Sequence, residues 1–244
     1  MILAAGKGTR LKPMTDDVPK ALVMFHGKPL LEIIIERLLF FKMDKIVVNI
    51  HHLADQVIEF LKSRNYYDGK VIISDETDQI MDTGGGVLKA RELLENGEPF
   101  IVHNVDVYTN LDINRLVAAH QSSNALITIA VKKRTPSRSL LFDEQNRLVG
   151  WKNNNTGDKR IVRDFNGHLT DYGNSCIYVI NPEFFELASI KEPVSLTDLY
   201  LDLAKNHLIK GYLHSQDWWY NLGLYDTYLK AEAEAPPNLY QDYI

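Results

Sequence analysis

Short apolar runs and amphipathic stretches take turns along the first half of the chain. Residues 1–4, 45–50 (Lys-Ile-Val-Val-Asn-Ile), 70–74 (Lys-Val-Ile-Ile-Ser), 100–103 and 125–131 are brief apolar runs, several of them rich in β-branched residues, which predicts strands. Between them Leu30, Ile33, Ile34, Leu38 and Phe41 recur at helical spacing, the apolar positions of residues 54–61 do the same, and helices are expected over residues 87–94 and 113–121. Strands that are apolar on both faces suit a parallel sheet covered by helices on each side, and the alternation predicts βαβ units. The pattern is that of an α/β protein with a mixed, mostly parallel sheet. Such sheets bind ligands beyond the carboxyl ends of their strands. The glycine-containing loop after the first run and Asn104-Val105-Asp106 after the fourth both belong on that rim.

From about residue 134 the texture changes. Residues 140–151 read as a hairpin turning at Asp143-Glu144-Gln145-Asn146, residues 153–158 as a polar turn, and residues 175–180 as a strand. A helix over 196–206, extended pieces at 211–214 and 218–222, and a helix over 225–234 ended by Pro236-Pro237 complete the chain. No true linker separates the halves. The expectation is one domain over residues 1–244, with a nucleotide-side part (1–133) and a smaller α+β acceptor-side part (134–244).

Composition narrows the partners. A net charge of -5 provides no basic field for nucleic acid or an anionic membrane. Cys176 is the single cysteine, so no intrachain disulfide forms. No segment approaches the length of a membrane span. A cytoplasmic, soluble protein is the expectation, and the oligomeric state is left open.

The most informative stretch is Leu3-Ala4-Ala5-Gly6-Lys7-Gly8-Thr9-Arg10-Leu11-Lys12-Pro13. Gly6 and Gly8 allow positive φ and close backbone approach, so that successive N–H groups wrap an anion. Arg10 adds a planar multi-donor fork, and Lys20 in Pro19-Lys20-Ala21-Leu22 adds a second cation. A P-loop would need four residues between its glycines, and a dinucleotide fingerprint would need glycine where Leu11 stands.

These residues, with Met14-Thr15 and Gly27-Lys28-Pro29-Leu30, resemble the sugar nucleotidylyltransferases of the nucleotidyltransferase-A family. The chain closely resembles the short members without a C-terminal β-helix, such as N-acetylmuramate-1-phosphate uridylyl- and mannose-1-phosphate guanylyltransferases. The resemblance implies a Rossmann-like nucleotide-diphospho-sugar transferase fold and transfer of a nucleoside monophosphate from an NTP, UTP or GTP being favoured, to a sugar 1-phosphate. Arg10 and Lys20 are then the catalytic cations. Ala4, Ala5, Gly6, Gly8, Thr9, Thr83, Gly84, Gly85 and Asn104 join them around the nucleotide. Glu76 is a further candidate contact to the base. Asp106 matches the family's metal aspartate, which implies Mg²⁺ as cofactor; Val105 replaces the usual glycine before it.

In the acceptor half the pattern departs from the family. Trp218-Trp219-Tyr220-Asn221-Leu222-Gly223 stands where Trp-x-Asp-x-Gly-Thr is usual, so the second metal ligand is Asn221, with Asp217 as the alternative. Cys176 stands in Asn174-Ser175-Cys176-Ile177 where a Ser-Gly step is usual. Ser175 and Lys152 are candidate sugar-phosphate contacts, Lys152 being equally readable as a solvated lysine beside a turn. The Trp218, Trp219 and Tyr220 cluster is expected as core or as a wall of the acceptor cleft. His51 and His52 are adjacent on a strand end, point to opposite faces and do not form a zinc pair. Two alternatives follow: a phosphocholine-type cytidylyltransferase, and a catalytically impaired nucleotide or nucleotide-sugar binding protein.

Overall fold

The computed structural model describes residues 1–188 and 193–239. Ten strands form the main sheet: β1 Ile2–Leu3, β2 Ile46–Ile50, β3 Val71–Asp75, β4 Phe100–Asn104, β5 Ile127–Lys132, β6 Arg138–Phe142, β7 Leu148–Asn153, β8 Lys159–Ile161, β9 Thr170–Ile180 and β10 Ile209–Leu213. Their order is β8-β7-β6-β9-β4-β1-β2-β3, with β5 also pairing β9 and β10 pairing β5. The nucleotide-side pairs β4–β1, β1–β2 and β2–β3 are parallel. The long strand β9 runs antiparallel to β4, β5 and β6 and so carries the sheet from one half of the chain into the other. The result is a mixed, Rossmann-like α/β sheet flanked by helices, in line with the sequence pattern.

Six helices matter for the argument: α1 Leu30–Phe40, α2 Ala54–Ser63, α3 Asp82–Lys89, α4 Ile113–Gln121, α5 Leu196–Leu203 and α6 Tyr225–Glu234. Alternate strand residues point to opposite faces. Ile2, Val48, Ile101 and Val179 pack with Ile34 and Leu38 of α1, Val57 of α2, Leu116 of α4 and Tyr228 of α6. Leu3, Val47, Val102 and Ile180 pack with Val87 of α3 and Tyr200 of α5. Two cores therefore sandwich the sheet, which is why strands such as Ile46–Ile50 are buried along their whole length. Asp112 and Ser195 cap α4 and α5 by accepting the Arg115 and Asp198 amides at 3.1 and 3.0 Å.

The helix expected over 87–94 begins earlier. Gly84, Gly85 and Gly86 lie inside α3, and a short second helix, Arg91–Leu94, follows. Three helical glycines cost about 3 kcal/mol relative to alanine, and tertiary contact offsets this. A Cβ on Gly84 would stand 2.9 Å from the Leu196 amide nitrogen, and one on Gly86 would stand 2.7 Å from Glu76 Oε1. Among the described residues no helix is long and apolar enough to cross a membrane.

Candidate nucleotide-transfer site

A cleft of about 230 Å³ opens at the carboxyl ends of β1, β2, β3 and β4. Its walls are built by short-range demands of the chain. β1 is only two residues long, so the backbone leaves the sheet at Ala4, whose amide donates to Asn49 Oδ1 at 2.6 Å. Asn49 Nδ2 donates to Glu76 Oε1 at 2.7 Å, and Glu76 Oε2 accepts from the Met81 amide at 3.4 Å. This chain ties the ends of β1, β2 and β3 to the start of α3. Glu76 is fully buried, and that burial pushes its carboxyl above the usual range. His51 Nδ1 lies 2.7 Å from the Glu76 carbonyl, a contact at the rim.

The glycine loop leaves Ala4 and turns back over the sheet. Gly8 has φ +66° and closes a tight turn, with its carbonyl accepting from Leu11 N at 2.8 Å and Thr15 Oγ1 at 2.9 Å. A Cβ on Gly8 would meet Thr15 Cγ2 at 2.9 Å and Lys20 Cβ at 3.0 Å, so glycine is what allows the loop to pack on Lys20. Gly6 is exposed with open space around it, and Arg10 is exposed at the cleft mouth.

Asp106 follows β4, and a two-stranded ribbon fixes its surroundings. Val107–Thr109 pairs antiparallel with Trp219–Asn221, which sets Asn221 opposite Val107. Lys20 Nζ lies 2.5 Å from Asp106 Oδ2. Asn221 Oδ1 accepts from the Gly223 amide at 2.8 Å. A Cβ on Gly223 would run into Asp106 Oδ2 and stand 3.0 Å from Asn221 Oδ1 and 3.2 Å from Lys20 Nζ. Three polar ends from distant parts of the chain thus gather around one residue that has no side chain. Among the described residues no group of three His, Cys, Asp or Glu side chains assembles. The donor set here is one carboxylate and one amide oxygen, both hard ligands compatible with Mg²⁺ that keeps waters and phosphate oxygens.

Of the residues singled out in the sequence, Ala5, Gly6, Arg10, Lys20, Thr83, Asn104 and Asp106 line the cleft. Ala4, Gly8 and Thr9 shape its loop. Gly84 and Gly85 stand away from it: their amides donate to the Val194 carbonyl at 2.9 and 3.0 Å, and they pack against α5. Ser175 is not brought to the cleft either. Its side chain is buried, with Oγ 2.7 Å from His214 Nε2. Lys152 pairs with Asp171 at 3.2 Å. Asp217 is engaged with His214 at 3.5 Å, not with Asp106. Trp219 donates from Nε1 to the Ser175 carbonyl at 3.0 Å, and Trp218 packs on Tyr108, so the aromatic cluster braces the Asn221 ribbon.

Cys176 is the strained point of β9. The pairing of β9 with β5 slips between Asn174 and Tyr178, and Cys176 sits in this bulge with φ +58°. Its thiol, pushed up to about 11 chiefly by burial, lies near Asp106, Arg134 and Lys20. Two residues of the region escaped the sequence reading. Asn49 was signalled by the polar break in an apolar strand run. Arg134 stacks over Trp219 at 4.3 Å and donates to the Asn174 carbonyl at 2.6 Å, and nothing in its local sequence marks it.

A Rossmann-like sheet with a glycine loop, two cations and an aspartate at its carboxyl rim is the architecture of a nucleotide-handling α/β enzyme. The nucleotidyl transferase family model matches residues 1–237, and the chain belongs to that family of nucleotidyltransferases. It is 30% identical to the N-acetylmuramate alpha-1-phosphate uridylyltransferase of Caulobacter vibrioides, over 96% of this chain and 95% of that protein. It is 27% identical to mannose-1-phosphate guanyltransferase beta-A of Xenopus laevis, over 91% of this chain but 60% of that longer protein. Among solved structures, HddC from Yersinia pseudotuberculosis shares the fold with a TM-score of 0.75 at 24% identity, covering 96% of this chain and 98% of its own. The inositol-1-phosphate CTP transferase from T. maritima does so with a TM-score of 0.73 at 17% identity, covering 98% and 95%. Relatives with different bases and acceptors match, which establishes the family rather than one of its members.

Proposed function

We propose that the chain transfers a nucleoside monophosphate from an NTP, UTP or GTP, to a sugar 1-phosphate and releases pyrophosphate. The observation that carries this is the convergence of Lys20, Asp106 and Asn221 around Gly223, beside the glycine loop. A phosphate oxygen of the acceptor attacks the α-phosphorus, and the bond to the bridging oxygen of the departing pyrophosphate breaks. The loop of residues 6–10 holds the leaving phosphates through backbone N–H groups and the Arg10 fork. Lys20, held by Asp106 on the cleft floor, faces the charge that develops on the transferring group. Preorganised cations of this kind are worth about 10²–10³ in rate each. Asp106 and Asn221 are the residues that would hold Mg²⁺, which when bound neutralises phosphate charge. The nucleotide lies on the part formed by residues 1–133 and the acceptor on residues 134–244 of one domain. The similarity to uridylyl- and guanylyltransferases supports the two bases named.

The test is pyrophosphate release with Mg²⁺ over a matrix of the four NTPs against glucose, mannose, N-acetylglucosamine and N-acetylmuramate 1-phosphates, with Arg10→Ala and Asp106→Ala as controls. The expected result is release in a restricted set of combinations that both substitutions abolish. NTP binding with no release in any combination would overturn the reading in favour of a binding protein.

A further inference from the structure

Cys176 stands between the cleft and a second cavity. Its thiol is near Asp106 and Lys20 on one side and meets the Tyr178 hydroxyl on the other. Asn174 Nδ2 donates to the Tyr178 and Tyr200 hydroxyls at 2.9 and 3.2 Å. Asn174 and Tyr200 in turn line a cavity of about 270 Å³ with Arg138, Trp151, Arg160 and Thr197. The start of α5 forms a common wall: Thr83, in the cleft, accepts the Leu196 amide on its Oγ1 at 2.9 Å, while Ser195 and Thr197 face the second cavity. The second cavity thus adjoins the cleft across the wall formed by Cys176, Asn174 and the start of α5.

The charge of the cavity selects among sugars. Arg160 Nη1 lies 3.2 Å from Asp198 Oδ1 and is neutralised there. The Arg138 guanidinium lies over the Trp151 ring, 5.7 Å from its centroid, and has no ion-pair partner among the described residues. Two guanidinium groups against one carboxylate leave a single positive charge facing the cavity. A neutral sugar leaves the Arg138 fork without a charged partner. A carboxylate balances it and fits the planar fork in a bidentate manner, and Trp151 offers a flat apolar wall beside it.

We infer that this cavity seats the acceptor sugar and that Arg138 recognises a carboxylate on it, so that the acceptor class is an acidic sugar 1-phosphate. This rests on the nucleotidyl-transfer reading above.

The experiment compares two matched acceptor pairs with UTP and GTP: glucose 1-phosphate against glucuronate 1-phosphate, and N-acetylglucosamine 1-phosphate against N-acetylmuramate 1-phosphate. The acid member of at least one pair is expected to show a kcat/KM at least tenfold above its neutral counterpart. In Arg138→Ala that ratio should collapse toward one, chiefly through a rise in KM for the acid, and Arg138→Lys should restore it in part. Arg138 is exposed, so a melting curve matching the parent protein separates recognition from folding. Neutral acceptors used as well as acidic ones, or an equal loss for both in Arg138→Ala, would overturn the inference while leaving nucleotidyl transfer standing. No release with any acceptor would sink the functional reading and the inference with it.

Discussion

Lys20 Nζ and Asp106 Oδ2 lie 2.5 Å apart across 86 positions of sequence, in a pair whose side chains are only 14% and 8% exposed. Little water screens such a pair. Breaking it from one side leaves an uncompensated charge at a cost of about 3 kcal/mol. Lys20→Ala and Asp106→Ala are therefore both expected to lower stability by about that amount, and each to lower pyrophosphate release by at least about 10²-fold. The double variant Lys20→Ala with Asp106→Ala should lose clearly less stability than the sum of the two single losses and regain none of the activity. Urea unfolding of all four proteins checks this. Strict additivity of the two single losses would show that the pair is not energetically coupled.

Asn221 leaves the floor with one carboxylate where two would bind a cation more strongly. Asn221→Asp keeps an oxygen in place to accept the Gly223 amide, now 2.8 Å from Oδ1. At an effective dielectric of about 20, a charge added about 4 Å from a unit charge is worth about 4 kcal/mol before desolvation, which offsets much of it. The half-saturating Mg²⁺ concentration should fall about tenfold, and calorimetric Mg²⁺ binding with NTP present should tighten in parallel. A Mg²⁺ requirement that stays the same or rises would remove Asn221 from the ligand set.

The loop of Gly6, Gly8 and Arg10 was legible because its chemistry is local: glycine freedom, fork and lysine all lie within a short reach of chain. The α/β alternation was legible for the same reason, since period and β-branching are local signals. The glycine triplet was not. Its residues form a helix because Val194, Leu196 and Glu76 approach it, and none of these is a sequence neighbour. Ser175 and Lys152 depended on which way β7 and β9 face. In β9 that is decided by the bulge at Cys176, where one residue at positive φ breaks the alternation on which a sequence reading relies.

That bulge makes a prediction of its own. A side chain at φ +58° pays about 1 kcal/mol for a left-handed backbone that glycine adopts freely. Cys176→Gly should therefore be neutral to stabilising by about 1 kcal/mol, despite the packing lost with the thiol. It should also lower KM for the acceptor, because the thiol stands between the cleft and the second cavity. Unfolding midpoints and acceptor KM values, measured side by side, decide the matter. A loss of more than about 2 kcal/mol would mean that burial of the sulfur outweighs the strain.

Asp143 supplies a pH signature outside the site. It sits at the hairpin turn between β6 and β7 with a side chain only 1% exposed. Burial alone would push its carboxyl up. Hydrogen bonds more than offset this: Oδ1 accepts the Arg147 and Gln145 amides at 2.9 and 3.0 Å, and Oδ2 accepts Arg147 Nε at 2.6 Å. The net result is a carboxyl held below its ordinary value of 3.8. Because the folded value is the lower one, the stabilisation is fully present above the unfolded value and is lost as pH falls through the folded one. Hydrogen bonds to a charged acceptor contribute about 1.5–3 kcal/mol each at most. Asp143→Asn can keep both amide contacts on Oδ1 but loses the charge that strengthens them and the Arg147 Nε contact on Oδ2, so a loss of about 2 kcal/mol at neutral pH is expected. The gap between the parent and Asp143→Asn unfolding free energies should be constant from pH 7 to about 5 and close progressively below about 4. A gap that is unchanged down to about pH 3 would show that the ionised carboxylate is not what holds this turn.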